Sequence, residues 1–214
     1  MKALFTEDEL NKIKNTVKET EKSTSAEVVP VFYRSSGIYS DTYWKSGILF
    51  ATFWSFLFFI YLSQNNKWGI SLQFFFLTQM TAGLIGVAFN YLFPFWRRLL
   101  LDRKIVKKTV QDLAYRVFLE EEVFLTKNRI GILIFMSFFE KEAVILGDKG
   151  INKIIKEDTW EGIISRLISD MKTKDKTDAI VQTIQSLGNL LTQYPIEAGD
   201  INELKDDLRL GDVK

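Results

Sequence analysis

Asn128 to Ile151 reads NRIGILIFMSFFEKEAVILGDKGI, and this stretch decides the fold class. Ile130 to Phe139 is a continuous apolar run of strand length, a pattern shared by central strands and buried helix segments. The bounding TKNR and EKE and the β-branched content favour a strand buried on both faces. Ala143 to Leu146 (AVIL) is a second strand only a few residues on. That gap is too short for a crossover helix, so the two form an antiparallel hairpin. Gly147 to Gly150 (GDKG) then turns the chain.

Upstream, Leu4 to Ser23 has helical periodicity, with Leu10, Ile13 and Val17 on one face. Thr6 and Glu9 have capping-box spacing, and Phe5 is placed to staple onto Leu10. Ala26 to Arg34 (AEVVPVFYR) reads as a strand, and Pro30 inside it predicts an edge position or a bulge. A helix is expected from about Leu101 to Thr126, with Val106, Val110, Leu113, Val117 and Phe124 as its buried stripe. Downstream, Asp158 can cap a helix with Trp160, Ile163, Ile164, Leu167 and Met171 on one face. Thr177 can cap another, with Ile180, Ile184, Leu187, Leu191 and Tyr194 on one face and Pro195 at its end. Residues 196–214 form an acidic, poorly periodic tail. The order α-β-α-β-β-α-α predicts a small mixed sheet covered by helices, an α+β or α/β layer fold.

That soluble order is interrupted between Ser46 and Trp96. Ser46 to Leu62 carries no charge, and about 17 residues of helix reach roughly 26 Å, near the lower limit of a bilayer core. Ser71 to Phe95 is also uncharged and long enough to span with some tilt. Ser63 to Gly69 (SQNNKWG) is a polar turn between them, and Tyr43 and Trp44 sit where interfacial aromatics are expected. Gln73, Thr78, Gln79, Thr81 and Asn90 in the second arm suit helix-to-helix hydrogen bonds, while Ala82 and Gly83 suit close packing of the arms. The expected organisation is a discontinuous soluble domain, 1–45 and 97–200, around a transmembrane hairpin, 46–96. Arg34, Lys45, Arg97, Arg98, Arg103, Lys104, Lys107 and Lys108 flank the arms, whereas the turn has only Lys67. The positive-inside rule then puts the domain and both termini on the cytoplasmic side of the inner membrane.

Composition narrows the chemistry. The 214 residues hold 28 Lys and Arg against 27 Asp and Glu, without the basic excess of a dedicated nucleic-acid binder. Cys and His are absent. That removes disulfides, the usual zinc sites, Ser-His-Asp triads and Cys nucleophiles. A metal site would need oxygen ligands, which points to Ca²⁺ or Mg²⁺. No secretory signal is expected, since MKALFTEDEL turns acidic before an apolar core can form.

Four acidic residues are candidate cation ligands: Asp148 at a strand end, with Glu27, Glu157 and Asp158. The alternative for Asp148 is a plain turn residue. Asn128 and Arg129 precede the central strand and could meet a phosphate or an acidic partner, or Arg129 could cap helix carbonyls. Glu140, at the hairpin tip, is a binding candidate whose plainer reading is a solvated charge beside Lys141. No nucleophile stands out: there is no Asp-x-Asp motif and no Gly-rich phosphate cradle.

Arg129, Gly131, Ile132, Leu133, Ile134, Phe135, Ser137, Glu140, Val144, Leu146, Asp148, Gly150 and Ile151 resemble the core pattern of the TPM domain, R-T-G-I-L-I-F-x-S-L-x-E-R-x-V-x-I-L-A-D-x-G-I, with Ile130 in place of the usual Thr. This family includes the thylakoid lumen phosphatase-like protein of plants and many bacterial membrane proteins. Phe5 to Val31 is similar to the family's opening helix and strand, and Asp200 to Leu210 (DINELKDDLRL) to the ending of its small membrane-bound subgroup. The resemblance implies a three-layer α/β/α domain. It also implies acid phosphatase activity in some members, Ca²⁺ at acidic loops in others, and LemA-type membrane partners in others. The long Gly-rich loop of larger members is replaced here by the hairpin. The functions expected are therefore a membrane-anchored module binding a partner or divalent cation, an assembly or envelope-stress factor beside a LemA-like protein, or a metal-assisted phosphatase.

Overall fold

A computed structural model describes residues 4–65, 69, 71–153, 155, 157–192 and 203–213. The chain separates into two compact units, one of residues 1–37 and 107–214 and one of residues 38–106.

The first unit is built on a mixed sheet. Helix α1 (Glu7–Glu21) starts at Thr6, where the capping box is complete: the Thr6 side chain accepts the Glu9 N–H and Glu9 returns a bond to the Thr6 N–H. Phe5 packs edge-on against Phe32, 4.9 Å between centroids, with Leu10 against the same core. Strand β1 (Glu27–Tyr33) follows. Strands β2 (Gly131–Ser137) and β3 (Glu142–Gly147) form the expected antiparallel hairpin, and β2 runs parallel to β1. The sheet order is β3-β2-β1-β4, where β4 is Arg209–Gly211.

Two expectations fail here, for linked reasons. The tail is not featureless: Arg209–Gly211 forms β4, parallel to β1, with Leu208 buried beside it. Three residues are too few for a period, so the pairing partner decides the strand. As a result β1 is interior, not the edge that Pro30 suggested. Proline survives because β4 pairs only with Val31 to Tyr33 and leaves Pro30 without an opposite residue on that side.

Val28, Phe32, Ile132, Ile134 and Met136 face a core shared with α1, α7 (Glu157–Thr173) and α8 (Lys176–Leu191). Val29, Val31, Leu133 and Phe135, of opposite parity, are just as buried. Helix α5 (Arg103–Glu120) covers that second face with Val110, Leu113, Ala114 and Val117. It ends earlier than the periodicity predicts. Glu122 takes a left-handed φ of 56° and starts a short 3₁₀ turn, Val123–Leu125, which buries Val123 instead of Phe124. The caps also shift. Asp175, not Thr177, caps α8, and its side chain accepts the Thr177 N–H. Asp158 lies inside the first turn of α7. Ile180, Ile184, Leu187 and Leu191 are fully buried as expected, whereas Tyr194 and Pro195 lie outside the described residues.

The second unit is a pair of helices, α2 (Asp41–Asn65) and α3 (Leu72–Leu92), followed by a single short helix α4 (Pro94–Leu99). Both long helices are long and apolar enough to cross a membrane, by length and composition. Their seam is polar and small. Ser46 donates to the Gly86 carbonyl at 2.7 Å, Asn90 donates to Thr42, and Trp96 donates its indole N–H to Ser46. Gly86 makes a closer approach than Gly83: a Cβ there would stand 2.7 Å from the Ser46 carbonyl oxygen. The outer surface is apolar, with Phe53 63% and Leu84 66% exposed.

Candidate functional site

The N-terminal ends of β1 and β2 and the C-terminal end of β3 lie together at one end of the sheet. Arg129, in left-handed backbone at φ 58°, sends Nε to Asp148 Oδ2 at 2.5 Å and Nη2 to Oδ1 at 3.0 Å. Asp148 is 5% exposed and also accepts the Lys149 N–H, which makes it the cap of the one-turn helix α6 (Lys149–Asn152). Its own N–H donates to Gly131, and the Gly150 N–H donates to the Arg129 carbonyl. The bond to Asp148 raises the Arg129 pKa further. Bidentate pairing commits both carboxylate oxygens, so Asp148 joins two loops rather than offering itself to a cation. Arg129 is the half of the pair that reaches solvent, its guanidinium 6.0 Å from the Phe124 ring centre.

Glu27 pairs in register with Gly131, which puts it two strands from Asp148, about 10 Å away. It is buried and accepts the Glu203 N–H from the C-terminal segment. Glu203 and Asp206 are the acids that act on Glu27, and Glu27 and Asp206 in turn act on Glu21. Burial, then the negative charges of Glu27 and Asp206, push the Glu21 carboxyl up to about 8, against a bond from the Val28 N–H that works the other way. Burial likewise raises Glu27. Oε2 of both glutamates is buried without a hydrogen-bond partner among the described residues. Asp158 is exposed on α7, far along the chain from this cluster, and the side chain of Glu157 lies outside the described set. Among the described residues no three acidic side chains converge so as to hold a metal ion. Of the predicted ligands, Glu27 and Asp148 stand two strands apart rather than side by side.

The Glu21 shift sets a pH dependence. The folded carboxyl holds its proton well above the unfolded value of 4.5, so folding takes up a proton between about pH 4.5 and 8. Stability from this group is greatest below that window, falls as pH rises through it, and levels off above about 8. Glu21→Gln should flatten this part of the profile by up to about 1 kcal/mol per pH unit. Urea midpoints of both chains in non-ionic detergent at pH 5, 6.5 and 8 would show it.

Glu140 is not a solvated tip. It is 7% exposed and accepts the Ser36 N–H at 2.8 Å, the Ser35 hydroxyl at 3.1 Å and the Ser137 hydroxyl at 2.5 Å. Ser36 in turn donates to Ser137. The hairpin tip therefore folds back onto the segment that leaves β1, and Lys141 closes the turn in left-handed backbone at φ 56°. Two serines at the exit of β1 were the available signal, but their distance of about a hundred residues in sequence hides the contact. Glu140→Ala strands two hydroxyls and an N–H and should cost roughly 1–3 kcal/mol, whereas Glu140→Gln should cost less. Thermal midpoints of the two variants would separate these. Asn128 is exposed on the loop before β2, where its carbonyl stands close to Gly150.

A mixed four-stranded sheet between α5 on one face and α1, α7 and α8 on the other, with a helical pair leaving the chain after β1, defines a three-layer α/β domain with an insertion. The family model of the TPM domain matches residues 100–190, from the last residues before α5 through most of α8. The NMR structure of BA42 protein from the psychrophilic bacterium Bizionia argentinensis has a similar fold, with TM-score 0.59 and 21% identity over 97% of this chain and 95% of that one. No curated protein matches the chain at a significant level.

Proposed function

We propose that this TPM-domain chain is a two-pass membrane protein whose soluble unit binds a partner protein at the cytoplasmic face, without catalysis of its own. One observation supports it above others. The helical pair is inside out: Thr42, Ser46, Gly86 and Asn90 are buried in its seam while phenylalanines and leucines cover its outside. In water each large apolar side chain left out forgoes roughly 1.5–3 kcal/mol of burial. In a bilayer the same surface is solvated and the polar seam is sheltered. The basic residues at the soluble-unit end of the arms support the orientation.

Partner binding is favoured over hydrolysis because the acidic groups are tied up. Asp148 is clamped by Arg129, and Glu140 is held by three serine groups. A LemA-like membrane protein is the first candidate partner, and Arg129, half-exposed beside Phe124, is a candidate residue to meet it.

The full chain in detergent should fail to hydrolyse a phosphomonoester with Ca²⁺ or Mg²⁺ present. Turnover lost in Asp148→Asn would overturn the non-catalytic reading in favour of a phosphatase. A reporter inserted within residues 63–69 should be active only outside the cytoplasm; activity inside would reverse the orientation.

A further inference from the structure

We propose that the end of the hairpin unit where α2 begins and α3 finishes binds anionic phospholipid headgroups, through Arg98, Arg103 and Lys104 beside a collar of Trp44, Tyr91 and Phe95. This rests on the two-pass reading above. The unit has two acidic residues, Asp41 and Asp102, both at this end. Each is already committed. Asp41 holds Lys45 at 2.6 Å, and Asp102 accepts the Lys104 backbone N–H at 2.8 Å. Arg97 is also spoken for: it donates to the Ile38 carbonyl and lies 5.2 Å from the Tyr43 ring centre. Arg98, Arg103 and Lys104 are left with no acidic side-chain partner among the described residues, a net excess of cations on one end of the unit.

The aromatic side chains at the same end are open to the surroundings. Trp44 is 76% exposed, and Tyr91 and Phe95 nearly as much. Rings of this kind sit at the depth of lipid carbonyls and headgroups. A guanidinium offers two parallel N–H groups to a phosphate, and an ammonium offers a point charge. Phosphate alone would meet the cations but not the rings, whereas a lipid presents both an acyl chain and a phosphate. A zwitterionic lipid carries its own cation, so charge complementarity selects a net negative headgroup.

The test uses the full chain in vesicles of phosphatidylcholine and phosphatidylglycerol at 7:3, extracted in mild detergent, with the retained lipid measured by native mass spectrometry. The ratio of retained phosphatidylglycerol to phosphatidylcholine should exceed the bulk ratio at least fivefold, and that excess should fall in 0.5 M salt. R98Q/R103Q/K104Q should bring it close to bulk, since each cation near an anionic surface is worth about fivefold. The charge-matched K149Q/K153Q/K172Q on the soluble unit should retain it. Equal retention of both lipids, or loss in the control triple as well, overturns the headgroup site. Release of the wild-type chain from vesicles by alkaline carbonate would instead overturn the two-pass reading, and a chain that resists extraction without lipid preference leaves that reading standing.

Discussion

Gly131→Ala should be the most damaging single methyl group in this protein. A Cβ at Gly131 would stand 2.1 Å from the Val123 carbonyl oxygen and 2.8 Å from the Val123 side chain. Both belong to the 3₁₀ turn packed on the start of β2. Backbone cannot yield as a flexible side chain does. The turn must therefore move, or β2 must shift in a sheet where it is paired on both sides. Overpacking usually costs about 1–3 kcal/mol, and a clash with backbone at this distance belongs at or above the top of that range. Gly162 supplies the contrast. It is exposed on α7 with nothing near its missing Cβ, so Gly162→Ala should raise stability by roughly 0.5–1 kcal/mol. Thermal midpoints of both variants beside the wild type, in the same detergent, would check the pair. A Gly131→Ala chain as stable as wild type would mean the 3₁₀ turn does not hold this position.

Gly86→Leu should force the two long helices apart. The first atom of the new side chain would meet the Ser46 carbonyl oxygen at 2.7 Å and the Phe50 Cβ at 2.8 Å. It would also break the approach that lets Ser46 reach the Gly86 carbonyl and Trp96 reach Ser46. The chain has no native cysteine, so a Gly47→Cys and Gly83→Cys pair can report the distance without background. A Cβ on either glycine falls within 3.7 Å of the other's carbonyl oxygen, close enough for oxidation to link the cysteines. Cross-linking should be efficient in the wild-type background and fall at least tenfold with Gly86→Leu. Unchanged cross-linking would show that the helices meet along another seam.

Periodicity carried the elements and failed at their ends. The Thr6 and Glu9 box, the β2–β3 hairpin and the buried face of α8 were legible because each depends on residues within one turn or one strand. The cap of α8 at Asp175 was missed because two capping residues stand close together, and both patterns fit until the backbone chooses. The acids show the same limit. Asp148 was recognisable as special from its place after a strand, but not as Arg129's partner. Glu140 looked solvated at a tip because its serine partners come from the far end of β1. Nothing in the sequence pairs Glu21 with Asp206, since only the fold makes neighbours of the end of α1 and the C-terminal segment.

The sequence by itself determined the main helices and the strands β1 to β3, which stretches are apolar, that the chain has no thiol or imidazole, and the resemblance to the TPM family. Those properties follow from side-chain pattern along a local backbone, and no distant residue is needed to read them. Only the tertiary structure decided that β1 is interior, that the tail supplies β4, that Asp148 is spent on Arg129, and that Glu21 sits among other carboxylates. Each of these depends on contacts between residues far apart in the chain, where hydrogen bonding and burial, not local preference, set what a side chain can do.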